Sequence, residues 1–215
     1  MSKKASIIFY IFIKRIIDVV ISLLALTISS PVLLLTALLI KIDSKGPVIF
    51  FQERVGVNGK IFRFYKFRSM IQNAETLLYN NKVLLEEYKK NSYKILKDPR
   101  VTRVGRIIRR FSIDEFPQFI NVLKGDMSFV GPRAYRPEEL ADQQEKYPET
   151  KKYVKSLLTV KPGITGPWQV SGRSEINFDK RVEMDAYYAN RKSILYDFII
   201  ILRTPLAVIK ARGAV

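Results

Sequence analysis

Two adjacent carboxylates, Asp114 and Glu115, follow a strongly basic stretch of the chain and precede Pro117. An ionised carboxylate can act as a nucleophile toward phosphorus, and a second one can hold Mg²⁺ against a diphosphate. Guanidinium groups nearby could bind phosphate through paired hydrogen bonds and would favour the ionised form of both acids. The basic side chains ahead of the pair are Arg103, Arg106, Arg109 and Arg110. This stretch is therefore a candidate site for phosphoryl chemistry.

The same pair could instead begin a helix and take no part in chemistry. Ser112 and Glu115 have the Ser-x-x-Glu spacing of a capping box. Alternatively, Asp114 is the N-cap, which places Pro117 in the first turn, where proline is tolerated. Both arrangements put the two acids at the amino-terminal end of a helix, whose dipole favours ionised carboxylates.

The composition limits which chemistry is available. The 215 residues include no histidine and no cysteine, which excludes Ser-His-Asp catalysis, thiol nucleophiles and the usual zinc ligands. Catalysis must therefore use Asp, Glu, Lys, Arg, Tyr or a hard metal ion bound by oxygen ligands. The net charge of +17 predicts an anionic partner, such as nucleic acid, an anionic membrane surface or a phosphorylated small molecule.

Residues 16–40 form an apolar stretch in which Asp18 is the only charge. As a helix, this stretch would extend about 37 Å, enough to cross a bilayer. Basic residues flank both of its ends, and such flanks prefer the cytoplasmic side of a membrane. Ser30 and Pro31 near the middle predict a kink. These features leave two topologies open, a kinked transmembrane helix and a re-entrant helix that leaves the membrane on the face it entered.

Beyond this helix, local patterns predict one hairpin and several short helices. Asn58 and Gly59 lie between two aromatic and β-branched runs, which is a strong hairpin signal over residues 48–67. Apolar residues recur at helical spacing in three further segments, residues 70–96, 112–124 and 176–192. The first of these segments is either a solvated helix pair or a lid over the active site.

A second apolar segment, residues 194–210, is interrupted by Arg203 and Pro205. These interruptions favour an amphipathic helix in the membrane interface over a second span. We therefore predict one mainly helical α+β domain that is held at a membrane by its amino-terminal helix.

Four long motifs together resemble the small monotopic phosphoglycosyl transferases of bacteria. They are KRIIDVV with SSP (residues 14–31), GPVIFFQERVGVNGKIFRFYKFRSM (46–70), DPRVTRVGRIIRRFSIDEFPQFINVLKGDMSFVGPR (98–133) and VKPGITGPWQVSGRS (160–174). The resemblance covers nearly the whole chain outside residues 71–97. It implies transfer of a sugar 1-phosphate from a UDP-sugar to undecaprenyl phosphate, an early step of surface polysaccharide synthesis such as exopolysaccharide or O-antigen. The chain resembles the catalytic core alone, without the extra amino-terminal membrane helices of larger relatives.

The resemblance also implies roles for individual residues. Asp114 would attack the β-phosphate of the UDP-sugar and carry the phosphosugar until the lipid phosphate attacks it, while Glu115 would help to bind Mg²⁺. The residues implied to bind substrate are Lys66, Arg68, Arg109, Arg133, Arg173 and Asp185. Lys66 and Arg68 could equally be charged surface residues of the hairpin with no role in binding. Asp185 could be an acid on a helix face that pairs with Arg181.

Two loop motifs carry further expectations. The family's Pro-Arg-Pro motif reads Pro132-Arg133-Ala134 here, and the missing second proline could loosen that loop. In the second loop, Trp168 is expected to pack inside the protein or to anchor it in the membrane interface, and less to stack on the uracil of the substrate. The loop's glycines, Gly163 and Gly166, fit close approach of the backbone to a substrate or simple turn geometry.

The resemblance favours the re-entrant topology, because the family bends its membrane helix at a Ser-Pro break, here Ser30 and Pro31. Residues 1–45 would then form the re-entrant helix and residues 46–215 a small globular catalytic domain with interfacial helices. Both termini would lie on the cytoplasmic face of the bacterial inner membrane, in contact with membrane lipids. A homodimer is left open.

A different class of protein would also explain part of the sequence. A membrane-tethered basic protein that binds anionic lipid or nucleic acid accounts for the charge and the apolar helix, but not for an acidic pair within a basic region. We therefore favour an enzyme with no nucleic-acid partner. The sugar is predicted to be a hexose, galactose or glucose, because PWQVSGR and the closing ARGA resemble that branch of the family.

Overall fold

A computed structural model describes residues 3–91, 93, 95–172 and 176–209. The described chain is mainly helical and contains two small sheets, as predicted for an α+β fold. The helices are α1 (Lys3–Asp43), α2 (Ala74–Asn80), α3 (Lys82–Lys90), α4 (Arg103–Arg110), α5 (Gln118–Lys124), α6 (Pro137–Lys146), α7 (Lys151–Leu157), α8 (Pro167–Ser171), α9 (Phe178–Arg191) and α10 (Ile194–Ile209). The strands are β1 (Ile49–Val55), β2 (Ile61–Phe67), β3 (Ser128–Val130) and β4 (Gly163–Thr165).

Helix α1 confirms the predicted apolar helix and extends it in both directions. Its 41 residues correspond to about 60 Å of helical contour, roughly twice the thickness of a bilayer's hydrocarbon core. Among the described residues it is the one helix long and apolar enough to cross a membrane, and many of its large apolar side chains are exposed. This indicates membrane association. Pro31 lies inside the helix, and the re-entrant bend at Ser30 and Pro31 stays a prediction.

The predicted hairpin is confirmed. Strands β1 and β2 pair across a short 3₁₀ turn, Val57–Gly59, and the residues on either side of this turn are joined by a hydrogen bond from the backbone N–H of Gly56 to the carbonyl of Lys60 (2.8 Å). Asn58 and Gly59 have φ angles of +54° and +79°. Asparagine and glycine are the residues that enter this left-handed region most readily, so the sequence signal and the geometry have the same cause.

Contacts divide the chain into two compact units. Among the described residues, the first combines residues 3–28, Gln52–Phe64, 118–172 and 176–209, and the second combines Ser29–Phe51 with the described part of Tyr65–Pro117. Both α1 and the hairpin contribute a segment to each unit. The predicted boundary near residue 45, between a membrane segment and a catalytic domain, is a functional division and stays a prediction.

The first unit is built around a parallel pair of short strands. Strands β3 and β4 pair with Ser128 opposite Gly163 and Val130 opposite Thr165. Helix α9 confirms the helix predicted over residues 176–192, and it buries Val182 in a core of aromatic and aliphatic side chains. This core is completed by Val55, Tyr135, Leu140, Val154, Leu157 and Phe178.

Helix α10 confirms the helix predicted over residues 194–210 and continues through Pro205. One side of this helix is buried in the first unit. There Asp197 accepts a hydrogen bond from the Tyr188 hydroxyl (2.6 Å) and forms an ion pair with Lys14 (2.8 Å). Its other side exposes a stripe of large apolar side chains, namely Leu195, Phe198, Ile199, Leu202 and Leu206. Such a face suits a membrane interface, and the interfacial position of α10 stays a prediction.

The second unit has two small cores. Ile40, Phe67 and Ile108 are buried together, and a separate cluster forms within residues 78–95 from Leu78, Leu84, Tyr88 and Ile95. The latter belongs to α2 and α3 and the turn after them, which confirms the predicted helix pair over residues 70–96. Movement of this pair as a lid stays a prediction.

Candidate active site

The two carboxylates lie in a tight turn and not at the start of an α-helix. After α4 ends, Ser112 adopts a left-handed conformation (φ 56°), and a 3₁₀ turn follows over Ile113–Glu115. The Ser112 side chain makes no capping hydrogen bond, and α5 begins only at Gln118. Both predicted caps are therefore wrong. Ser112 is left-handed, whereas an N-cap usually has an extended backbone, and Asp114 lies four residues before the first residue of α5.

Lys66 on β2 contacts both acids. Its Nζ lies 2.8 Å from Oε1 of Glu115 and 3.8 Å from Oδ2 of Asp114. Asp114 is buried, with 8% of its side chain exposed, whereas 42% of the Glu115 side chain is exposed. The structure thus places one enclosed carboxylate beside one accessible carboxylate, joined by a single ammonium group.

Burial, more than the basic surroundings, sets the proton affinity of Asp114. Loss of solvation, helped by the neighbouring Glu115 carboxylate, raises the pKa of Asp114 to about 6 against the attraction of Lys66 and Arg109. We expected nearby cations to favour the ionised form of both acids, and Lys66 and Arg109 do so at Asp114, although burial outweighs them. The group is still mainly ionised at pH 7, yet it carries its charge in a poorly solvated place, which suits a nucleophile.

The other predicted basic residues of this unit differ in what they contact. Arg109 lies in the last turn of α4 and favours the ionised form of Asp114. Arg68 is buried, and its Nη2 donates to the carbonyls of Ile40 (3.3 Å) and Ser44 (2.7 Å). Since these carbonyls belong to the carboxyl-terminal end of α1, the geometry favours a structural role for Arg68.

Arg133 follows β3 in a loop that is held firmly without the second proline. Its backbone N–H donates to Oδ2 of Asp185 (3.1 Å), and the carbonyl of Ala134 accepts from Nη1 of Arg54 (3.0 Å). The carbonyl of Tyr135 accepts from the backbone N–H of Val55 (2.9 Å). We expected the loop to be loose because the second proline is absent. These hydrogen bonds fix its backbone instead.

Asp185 is completely buried in α9, and its Oδ1 has no hydrogen-bond partner. Burial raises the pKa of Asp185 to about 7, although the Arg133 backbone N–H, Arg181 and the Arg133 side chain favour the charged form. Arg181 directs its Nη2 to the carbonyl of Ile176 (3.1 Å). Asp185 therefore orients the Arg133 backbone, and the attraction to Arg181 that the alternative prediction required is also present. Arg173, the remaining predicted site residue, lies outside the described residues.

Comparison of the sequence with known proteins shows the family of this chain. The family model for bacterial sugar transferases matches residues 9–211. The chain belongs to the bacterial sugar transferase family. It is 42% identical over 207 residues to the undecaprenyl-phosphate galactose phosphotransferase of Salmonella typhimurium, covering 94% of this chain and 42% of that protein.

Two other relatives of the sugar transferase family show the same relationship. The identity is 45% over 208 residues with galactosyl transferase CpsE of Streptococcus agalactiae, covering 95% of this chain and 44% of that protein. It is 38% over 205 residues with the exopolysaccharide production protein ExoY of Sinorhizobium fredii, covering 94% of this chain and 87% of that protein. The chain thus spans less than half of the first two relatives and most of the third.

The sugar transferase motif around Trp168 serves packing in this structure. Trp168 is 7% exposed, with the Arg133 guanidinium 5.3 Å and the Arg181 guanidinium 4.9 Å from its ring centroid. An indole enclosed in this way is not exposed to a bilayer. This confirms the packing interpretation for Trp168.

The glycines of the sugar transferase loop allow close approach between backbones. A Cβ on Gly163 would lie 2.7 Å from the Cα of Gly131, and one on Gly166 would lie 3.1 Å from the carbonyl carbon of Gly131. Both glycines therefore make room for the neighbouring loop of the protein itself.

Glu115 of the dyad could provide one ligand to a magnesium ion that substrate phosphates and water also bind. The described part of the chain contains no group of three or more acidic side chains suited to a metal. Mg²⁺ in proteins is commonly bound by one or two carboxylates, completed by substrate phosphates and water. Glu115, half-exposed beside Asp114, provides such a carboxylate.

Proposed function

We propose that this chain transfers a sugar 1-phosphate from a UDP-sugar to undecaprenyl phosphate. Family membership supports a sugar transferase. Relatives named as undecaprenyl-phosphate phosphotransferases of galactose and glucose, each 42% identical, support this donor and acceptor. The observation that carries the proposal is the buried, mainly ionised Asp114 beside Lys66 and an accessible Glu115. Without histidine or cysteine, a covalent mechanism must use an oxygen nucleophile or lysine, and Asp114 is a carboxylate of that kind.

The transfer proceeds in two displacements at one phosphorus atom. A carboxylate oxygen of Asp114 attacks the β-phosphorus of the UDP-sugar, the bond from this phosphorus to the bridging oxygen breaks, and UMP leaves with that oxygen. A phosphate oxygen of undecaprenyl phosphate then attacks the same phosphorus. The bond to Asp114 breaks, the carboxylate is restored, and the product is undecaprenyl diphosphate sugar.

The surrounding groups stabilise the charge that this reaction places on phosphate oxygens. Lys66 and Arg109 hold positive charge around Asp114. As the resemblance to the family implies, Arg133 would bind phosphate through its guanidinium. Glu115 would bind Mg²⁺ together with the diphosphate, and the bound ion would neutralise phosphate charge. Burial of Asp114 leaves its carboxylate poorly solvated, so little hydration must be removed before attack.

The experiment that tests the function is a panel of UDP-sugars incubated with the protein, Mg²⁺ and undecaprenyl phosphate, with UMP as the readout. We expect UMP with UDP-galactose or UDP-glucose, and less with UDP-N-acetylhexosamines. A relative 40% identical to this chain is named as an N-acetylgalactosamine phosphotransferase, so the panel must include that sugar. No UMP from any donor, with anionic-lipid binding intact, would instead favour the membrane-tethered binding protein.

We further propose that α1 is re-entrant, with its bend at Ser30 and Pro31 and both of its ends on the cytoplasmic face of the inner membrane. The reason is geometric, because the lipid phosphate lies at headgroup depth and UDP-sugars are cytosolic. The exposed apolar stripe of α10 would then lie in the same interface.

Cysteine labelling tests this topology without interference, because the chain has no native cysteine. Single variants Ser2→Cys and Gly213→Cys are expected to react with a membrane-impermeant maleimide only after the inner membrane is permeabilised. Lys151→Cys, an exposed position in the predicted cytoplasmic domain, is the matched control. Reaction of Ser2→Cys in intact spheroplasts, while Lys151→Cys stays protected, would establish a transmembrane span and reject the bend.

A further inference from the structure

A buried carboxylate lies behind the Arg133 loop. Glu139 is in the first turn of α6, with 5% of its side chain exposed. One of its oxygens, Oε2, lies 3.7 Å from Nη1 of Arg54, and the other, Oε1, lies 3.8 Å from Nε of Arg133. Each oxygen thus faces a different guanidinium group, so the single acid links two arginines that are far apart in the chain.

The electrostatics keep this carboxylate charged. Burial opposes ionisation of Glu139, but Arg133, Arg54, Arg181 and Arg136 together outweigh it and hold the pKa of Glu139 below its usual range. A buried charge is stable only where opposite charges compensate it. Glu139 and its arginines therefore depend on one another, and removal of the acid would leave Arg54 and Arg133 close together without their shared counter-ion.

Arg133 is more exposed to solvent than Glu139 and Arg54. Arg54 has 8% of its side chain exposed and Glu139 has 5%, whereas Arg133 has 28%. Arg133 is thus the member of the cluster that a ligand can reach, and Glu139 lies behind it. The backbone of Arg133 is fixed through Asp185, and its guanidinium also lies over the Trp168 ring, so Glu139 is the anionic group among the contacts of this side chain.

We propose that Glu139 is a positioning residue for Arg133. It holds the guanidinium so that its exposed edge is oriented for the diphosphate of the sugar nucleotide, and Arg54 fixes Glu139 from the other side. The inference rests on the proposed function, in which Arg133 binds that diphosphate. A pre-oriented arginine loses less freedom when it binds phosphate, so the effect should appear in substrate affinity.

The test is the variant Glu139→Gln, which keeps the shape of the side chain and removes its charge. We expect the KM for the UDP-sugar and the Kd for UDP, measured by titration calorimetry, to rise about tenfold, with kcat within about threefold. Glu138→Gln is the matched control, because Glu138 is the adjacent residue of the same helix, pairs with Arg136 at 3.8 Å and has 50% of its side chain exposed. That control should leave both constants unchanged.

A double-mutant cycle separates positioning from mere stabilisation. In an Arg133→Ala background, Glu139→Gln should change the Kd for UDP by less than about twofold, because the group it orients is gone. A purely structural role would instead lower the melting temperature and the active fraction, and would leave Kd and KM of the folded fraction unchanged. That result would overturn the proposal.

Further outcomes keep the test decisive. Should Glu139→Gln not fold, Arg54→Lys keeps the positive charge but loses the hydrogen bond to Ala134, and it should also raise the Kd for UDP. An unchanged Kd in a folded Arg54→Lys protein would then count against the proposal. Parent protein that binds UDP but releases no UMP from any UDP-sugar would refute the proposed function, while the effect of Glu139 on Kd would still be measured.

Discussion

Replacing Asp114 with asparagine is expected to lower UMP release by at least about a thousandfold. Asparagine has nearly the same shape, so it fills the same buried place, but its amide is not a nucleophile toward phosphorus. A labelled phosphosugar should remain bound to the parent protein in the absence of undecaprenyl phosphate and should be missing from Asp114→Asn. Asp179→Asn, which changes an exposed carboxylate at the start of α9, is the control and should retain full activity.

The same substitution should stabilise the fold, and more so at neutral pH. The pKa of Asp114 is raised in the folded state to about 6, so the folded state binds this proton more tightly than the unfolded state does. The free energy of unfolding of the parent therefore falls as the pH rises from about 4 to about 6 and this proton is lost. Asparagine does not titrate, so the variant does not lose stability in this way. The stability gained by Asp114→Asn should be about 1 kcal/mol larger at pH 7 than at pH 5.

Thermal melting at the two pH values measures this difference. A gain that is equal at pH 5 and pH 7 would show that Asp114 does not carry a buried charge. Full UMP release by the folded variant would remove Asp114 from the nucleophile role, whatever its effect on stability.

Replacing Gly163 with alanine is expected to destabilise the protein by about 3 kcal/mol or more. The added Cβ would overlap the backbone nitrogen of Gly131 and lie 2.7 Å from its Cα. Neither contact can be relieved by turning a side chain, because both partners are backbone atoms. The strands β3 and β4 would have to separate, and with them the hydrogen bond from the Gly163 N–H to the carbonyl of Pro132 (2.8 Å).

A fall in melting temperature on the order of 10 °C should accompany this change for a chain of this size. Because Pro132 directly precedes Arg133, UDP-sugar turnover should fall as well. Gly59→Asn is the matched control, because Gly59 has a left-handed φ of +79° that asparagine tolerates and open space around its Cβ position. Equal melting temperatures for Gly163→Ala and the parent would show that the two strands do not approach as closely as described.

Local features of the structure are the ones that the sequence predicts well. The hairpin at Asn58 and Gly59 and the α2–α3 pair both follow from backbone preferences of neighbouring residues. The capping predictions for Ser112 and Asp114 failed for a related reason. A capping box and a tight turn use the same residue types, and the path of the chain after α4 chooses between them.

The pattern of residues along the chain is enough to locate a membrane helix, to exclude histidine and cysteine chemistry and to single out Asp114 and Glu115. These conclusions need only composition and the spacing of neighbours. Tertiary structure alone decides that Lys66 joins the two acids, that Asp114 is buried while Glu115 is accessible, and that Arg68 is directed to the end of α1. The physical reason is that desolvation and ion pairing depend on which distant segments pack together, and this is not written in the spacing of adjacent residues.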